Sequence, residues 1–392
     1  MERIAALVVR DPASIRFAGL DLTERAERVA RRAGIDCVKV VDETRPFASA
    51  PLAELLLVLP ARVVVEPAAI TDLVRRGLHG EDAAVVADAG GRHTGVMLLS
   101  SDATERVRPT PHLRSALRRL GVECVVRVVR IGSRFVRRLR DGGDVAAAEA
   151  DYLSHVNGGA GECWFTRNIR ACSIPLSRRL LRRSITANQV TLAGFGLAIC
   201  AGAAFAAGGY WAGIAGALFY WASMVLDCCD GEVARGRLSD SAFGAWLETA
   251  TDYLSYFVVL AGIVYGDLRA EGVDHHTVAA GVAALASLAI VSLVGYLRAR
   301  VAAINPGAFD DALAAELKRG TTTQRFAAWG RQLIKRSFMA HLILFQAVIG
   351  FIPALTEIWA YGAVAALVVV AAVQVHIIRR VRVQPLRPAL SL

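Results

Sequence analysis

The 392-residue chain lacks most of the signals that would place it in a class directly. Its seven cysteines (Cys37, Cys124, Cys163, Cys172, Cys200, Cys228 and Cys229) are odd in number and form no CxxC pair. No histidine cluster completes a zinc site, so they read as reduced packing residues rather than a disulfide framework or a metal centre. The opening segment, MERIAALVVRDPAS, has neither the charged n-region nor the long apolar h-region of a signal peptide, so the N-terminal part is expected to stay in the cytoplasm. No internal repeat or low-complexity tract is visible. A glycine count of 34 excludes a collagen-like chain, and 55% hydrophobic residues exclude a disordered one. Acidic residues are short: 35 Asp and Glu stand against 45 Lys and Arg, a net charge of +10. That balance points either to nucleic acid or to a membrane protein whose positive charges gather on one side.

The distribution of apolar residues decides between these. Residues 1–150 read as an α/β domain. Short apolar runs at Ile4–Val9, Val38–Val41, Leu55–Leu59, Ala83–Val86, Gly95–Leu99 and Val122–Val129 alternate with helical periodicity at Leu22–Ala33 and Ala69–Leu78. Such alternation predicts a mostly parallel sheet. Residues 151–187 form a linker. Within it WFTRNIRACSIPLSRRLLRR mixes apolar and basic positions, as an interfacial helix broken near Pro175 would, or as a basic linker would. From 188 to 392 the chain is dominated by six apolar stretches, at about 188–207, 210–227, 242–265, 277–297, 337–354 and 357–378. Several reach the roughly 20 residues that span a bilayer as a helix. Arg235, Arg237, Arg298, Arg300, Lys318, Lys335, Arg336 and Arg379 fall on one side of these spans, and Arg269 almost alone on the other. The positive-inside rule then places both termini in the cytoplasm, and the net charge requires no nucleic acid.

The most informative segment is DCCDGEVARGRLSDSAFGAWLETATD, residues 227–252. Asp227 and Asp230 are three residues apart at the end of the second span. Glu248 and Asp252 are four apart at the start of the third. Those spacings put each pair on one helix face, so two adjacent antiparallel helices can aim four carboxylates at one point. Carboxylates grouped at a membrane edge repel one another and are costly to desolvate unless a cation sits among them. Hard divalent ions suit all-oxygen ligands, and Mg²⁺ goes with phosphate substrates. Gly231, Ala234 and Gly244 leave room for a ligand, and Arg235 can bind a phosphate or pair with a carboxylate.

This pattern, D-x2-D-G-x2-A-R-x8-G-x3-D-x3-D, resembles that of the CDP-alcohol phosphotransferases. It is carried here by Asp227, Asp230, Gly231, Ala234, Arg235, Gly244, Glu248 and Asp252 with every spacing kept. The likeness extends to Thr186-Ala187-Asn188-Gln189-Val190-Thr191 before the first span and to Tyr296–Arg300 after the fourth. It implies transfer of a substituted phosphate from a CDP-alcohol, such as CDP-diacylglycerol or CDP-inositol, to an acceptor hydroxyl with release of CMP. It also implies a six-helix membrane fold and a homodimer. By the same likeness, Asp227, Asp230, Glu248 and Asp252 would hold two Mg²⁺ (or Mn²⁺) ions, and Asp252 would serve as general base. Gly231, Ala234, Arg235, Gly244, Asn188 and Thr191 would line the CDP cleft. Arg298, Arg300, Lys335 and Arg336 either bind a phosphate on the acceptor or satisfy the positive-inside rule. Glu248 departs from the family, which has Asp there. Its extra methylene shifts the carboxylate by roughly 1 Å, enough to slow chemistry about a hundredfold. That departure keeps open a non-catalytic membrane scaffold retaining nucleotide or metal binding. A transporter with intramembrane carboxylates gives no reason for the motif's spacing.

The N-terminal domain resembles sugar nucleotidyltransferases in outline, as in the bifunctional enzymes of di-myo-inositol phosphate synthesis. It lacks their chemistry. Ile4–Val9 runs into Arg10-Asp11-Pro12 without a glycine-rich phosphate loop, and no Asp follows the central strand near Leu59-Pro60-Ala61-Arg62. A degenerate, non-catalytic domain is therefore expected.

Overall fold

The computed structural model describes residues 4–10, 13, 15–44, 46–88, 90–130, 134–140, 142–157, 164–272, 275, 278–289, 336–352, 357–365 and 367–368. They fall in two units. One joins Met1–Glu162 with Ser173–Ala187 and Cys229–Ala242; the other comprises Cys163–Cys172, Asn188–Cys228 and Phe243–Leu392.

The first unit holds β1 (Ile4–Val9), β2 (Arg16–Phe17), β3 (Leu20–Asp21), α1 (Leu22–Arg32), β4 (Cys37–Val41), β5 (Leu55–Pro60), β6 (Val63–Val65), α2 (Pro67–Arg76), β7 (Ala83–Ala87), β8 (His93–Ser100), α3 (Ser101–Val107), α4 (Leu113–Glu123), β9 (Val126–Arg130), β10 (Val136–Arg138) and α5 (Asp144–Asn157). Six strands form one sheet in the order β4-β1-β5-β8-β7-β9. The interior strands β1, β5 and β7 are buried on both faces, which is why they read as unbroken apolar runs. One apolar layer packs β1, β5 and β8 against α1 and α2, and the opposite layer packs the same strands against α3 and α4. β8 runs antiparallel to both its neighbours, while the other pairings are parallel. The sheet is thus mostly parallel, with one reversed strand.

The last predicted strand needs correction. Val122 and Glu123 close α4, whose Ala116 and Leu120 are buried one turn apart, and β9 starts only at Val126. The helix begins well: the His112 backbone N–H donates to Ser115 Oγ, as in a capping box. A β-branched run at the junction therefore divides between two elements.

α6 (Trp164–Leu181) is continuous through Pro175, where the sequence predicts a break. Proline removes one intrahelical hydrogen bond, but both flanking stretches are held by tertiary contacts. Before Pro175, Ser173 Oγ donates to Glu232 at 2.7 Å; after it, Arg178 donates to the Ala146 carbonyl at 3.0 Å.

α7 (Ala187–Ala207), α8 (Tyr210–Arg237) and α9 (Ala242–Glu271) are long and apolar enough to cross a membrane. Gly208 and Gly209, with φ of +74° and +81°, make the tight reversal between α7 and α8. Among the described residues, α10 (Val278–Ala289) is a shorter apolar helix, and α11 covers Arg336–Val348. The expected spans 277–297, 337–354 and 357–378 lie partly outside those residues.

Glycines set how closely the long helices approach. A Cβ on Gly202 of α7 would sit 2.7 Å from the Val258 carbonyl oxygen of α9, and one on Gly262 would collide with the Gly202 carbonyl. Gly262 and Gly266 form a GxxxG pair, and Gly266 lies against the Phe205 carbonyl. On α7, Gly194 approaches Ser223 and Leu226 of α8. These contacts fix α7 against both helices that carry the acidic motif.

Candidate active site

α8 and α9 each present one carboxylate to a single guanidinium. Nη1 of Arg336, the first residue of α11, donates to Asp227 Oδ1 at 3.0 Å and forms a still closer ion pair with Asp252 Oδ1. Both carboxylates are 28% exposed and Arg336 17%. The guanidinium lies 5.5 Å from the centre of the Tyr256 ring, over its face, and buried Tyr220 also faces it. Helical spacing explains the company: Tyr256 is one turn beyond Asp252, and Tyr220 two turns before Asp227.

This geometry tests the donor set. Two carboxylates from facing helices share one positive group, so two oxygen donors of the kind a divalent cation takes face the same guanidinium. Among the described residues, no three His, Cys, Asp or Glu side chains converge in ligating geometry. Glu248 is exposed, one turn before Asp252 on α9. Asp230, three residues beyond Asp227, is 3% exposed, and its Oδ1 accepts from the Gly231 backbone N–H.

The residues following Asp230 are held tightly within the first unit. Arg235 Nε donates to Asn157 Oδ1 of α5 at 2.7 Å. A Cβ on Gly231 would sit 3.0 Å from both terminal nitrogens of Arg235, so this glycine is what lets the guanidinium lie back along the helix. Glu232 is fully buried and accepts from Ser173 of α6, while Cys229 Sγ contacts the Ser173 carbonyl at 3.5 Å. Arg237 donates to the carbonyls of Leu180, Leu181, Arg183 and Ile185, which close α6 and the turn after it.

The other predicted positions are spread more widely. Asn188 is half-buried at the start of α7, Thr191 is buried one turn later, and Gly244 is half-buried near the start of α9. Ala234 is half-buried on α8 beside Arg235. Arg298, Arg300 and Lys335 lie outside the described residues. Tyr220, Tyr256, Asn157 and Glu232 belong to the surroundings of the motif but were not singled out from sequence. For the tyrosines the signal was their one-turn and two-turn spacing from the acids.

Comparison with known proteins agrees with the motif. Residues 184–359 match the family described as CDP-alcohol phosphatidyltransferase. The archaetidylinositol phosphate synthase of Methanothermobacter thermautotrophicus is 37% identical over 97 residues, which is 24% of this chain and 48% of that protein. A bifunctional IPC transferase and DIPP synthase of Rubrobacter xylanophilus is 37% identical over 121 residues, 31% of this chain and 25% of that protein. The chain thus spans about half the length of one curated relative and a quarter of the other. The family match covers residues 184–359, a little under half of the chain.

Proposed function

We propose that the protein is an integral membrane transferase that moves a substituted phosphate from a CDP-alcohol to an acceptor hydroxyl, releasing CMP. The observation that carries this reading is the facing pair Asp227 and Asp252, set at the family's spacing and joined through Arg336. Three helices able to cross a membrane support the setting, and the charge asymmetry of the sequence supports termini on the cytoplasmic side.

Asp227, Asp230, Glu248 and Asp252 would hold divalent metal, for which Mg²⁺ is the natural occupant of an all-oxygen site beside phosphate. When bound, the metal neutralises the donor pyrophosphate and polarises the phosphate under attack. The chain's own residues supply the rest. Asp252 takes the proton of the acceptor hydroxyl as its oxygen bonds to the β-phosphorus of the donor. The bond from that phosphorus to the bridging oxygen breaks, and CMP leaves with the electron pair. Gly231 leaves space for the nucleotide, and Arg235, oriented by Asn157, gives it a fixed positive charge. Arg336 gives up the carboxylates and turns to a phosphate. The name of one relative, archaetidylinositol phosphate synthase, favours an inositol-type acceptor. In this reading the N-terminal domain is non-catalytic, since β5 ends at Pro60 and the turn Ala61-Arg62 that follows carries no carboxylate.

Purified protein supplied with CDP-diacylglycerol or CDP-inositol and myo-inositol phosphate should release CMP only with a divalent ion. Asp252→Asn should abolish release, and full activity in that variant would overturn the assignment of the base. The exposure of Glu248 favours one second reading, a scaffold that binds the nucleotide without turnover. Turnover that appears only in Glu248→Asp would select it.

A further inference from the structure

The C-terminal end of α8 is held in an unusual way. Leu238 has a φ of +52°, in the left-handed region that glycine normally fills at a helix end. The Leu238 N–H donates to the Arg235 carbonyl and the Ser239 N–H to the Ala234 carbonyl, which is the hydrogen-bond pattern of a Schellman motif. A side chain in this conformation is strained, and it persists only where its surroundings over-determine it. Here they do. The Leu238 side chain is 6% exposed and belongs to the apolar cluster that also contains Ala26, Val29 and Ala30 of α1.

α1 holds the backbone as well. Arg25, Arg28 and Arg32 share one face of α1 at spacings of three and four. Arg25 Nη1 donates to the Gly236 carbonyl at 2.6 Å and Arg28 Nη1 to the Arg237 carbonyl at 3.1 Å. Arg32 donates to the carboxylate and the carbonyl of Asp240. A helix C-terminus leaves carbonyls without intrahelical partners and carries partial negative charge, so cations are the apt caps. Arg25 is not a surface cap, however. It is 2% exposed and clamped between the rings of Phe17 and Tyr152, 4.8 and 4.7 Å from their centres. Burial holds its pKa below the ordinary guanidinium value. A buried cation is tolerated only while its acceptor stays in place, so folding of α1 and the position of α8's last turn are one cooperative event.

We infer that the N-terminal α/β domain serves as a brace for the acidic motif, with Arg25, Arg28 and the left-handed Leu238 as positioning residues that set the end of α8 carrying Asp230, Gly231, Ala234 and Arg235. The structural part of this inference stands alone, and its effect on turnover rests on the proposed transferase activity. Two variants test it in the full-length protein. Arg28→Ala removes a half-buried cap together with its exposed i,i+4 pair to Glu24, which is worth only a few tenths of a kcal/mol to α1. Leu238→Gly removes the anchor while relieving the backbone.

Hydrogen exchange of the amides at 234–239 should accelerate by about tenfold in Arg28→Ala, the scale of one lost charge-assisted hydrogen bond, and by at least that in Leu238→Gly, where lost leucine burial exceeds the relieved backbone strain. Exchange in β1 and β5 should not change. Arg28→Lys should restore most of the protection. With CDP-diacylglycerol and myo-inositol phosphate as probes, kcat/KM for the donor should fall several-fold, with KM rising because the braced turn carries Gly231 and Arg235. Unaltered exchange at 234–239 overturns the brace, and so does loosened exchange with unaltered kcat/KM for the donor in an active enzyme. If the wild-type protein releases no CMP from these probes, the activity reading fails separately and hydrogen exchange alone judges the brace.

Discussion

Gly202→Ala is the sharpest test of how the long helices place the acids. The added Cβ would stand 2.7 Å from both Cγ1 and the carbonyl oxygen of Val258, against 3.4 Å for ordinary contact. The side-chain carbon can rotate away, but the carbonyl belongs to α9 and cannot. α7 and α9 therefore have to separate by about 0.7 Å at this level, or the alanine remains compressed at about 1–3 kcal/mol. Val258 is six residues from Asp252 on the same helix, so a rigid shift of α9 carries most of that displacement to the carboxylate. A misplacement near 1 Å costs on the order of a hundredfold in rate, and about 0.7 Å should cost roughly ten- to thirtyfold. CMP release in detergent or nanodiscs measures it, with thermal unfolding alongside. Gly196→Ala is the internal control. It lies on the same helix with nothing within 4 Å of its added Cβ, so it should leave activity unchanged and stabilise the helix by up to about 1 kcal/mol. Wild-type activity and unfolding temperature in Gly202→Ala would refute the close approach of α7 and α9.

Arg336→Gln should tighten Mn²⁺ binding about tenfold by electron paramagnetic resonance titration, because a competing guanidinium at 3.0 Å from Asp227 is gone. Weaker binding would show that Arg336 assists the cation rather than holding its place. The same variant should unfold earlier in chelator and recover with added Mn²⁺, since two partly buried carboxylates then face each other alone. Gly231→Ala should push the Arg235 guanidinium from its position and raise the KM for the CDP-alcohol more than it lowers kcat. An unchanged KM would remove Arg235 from the nucleotide site.

Much of the fold was legible because burial on both faces writes itself plainly. Val8, Leu57 and Val86 sit in strands whose every neighbour is apolar, and a period count finds them. β6 and β10 escaped because they pair three residues each across about seventy positions of sequence, and no local pattern records such a partnership. The turn between β2 and β3 depends on Ala18 at φ +51° beside Gly19 at φ +80°, and nothing about an alanine announces that conformation. The acids were readable through their spacing alone. Their present partner was not, because Arg336 is 109 residues from Asp227 and looked equally suited to flanking a membrane span. Arg25 gave no hint of burial, since its guanidinium is matched by rings at 17 and 152 and a carbonyl at 236. The GxxxG at Gly262 and Gly266 was in plain sight and would have predicted the close helix pair.

α8 has 28 residues, a rod of about 42 Å, whereas the hydrocarbon of a bilayer is about 30 Å thick. Its apolar part, 210–226, covers only about 26 Å before Asp227 begins the polar end. The helix is therefore slightly short for a typical membrane on its apolar side and much too long overall. In the proposed transferase, hydrophobic mismatch would act on the site: thicker lipid would draw the first acid toward the acyl chains, and thinner lipid would release it to the headgroups. Turnover should then follow acyl-chain length at constant headgroup composition, which makes the bilayer's thickness a parameter of the reaction.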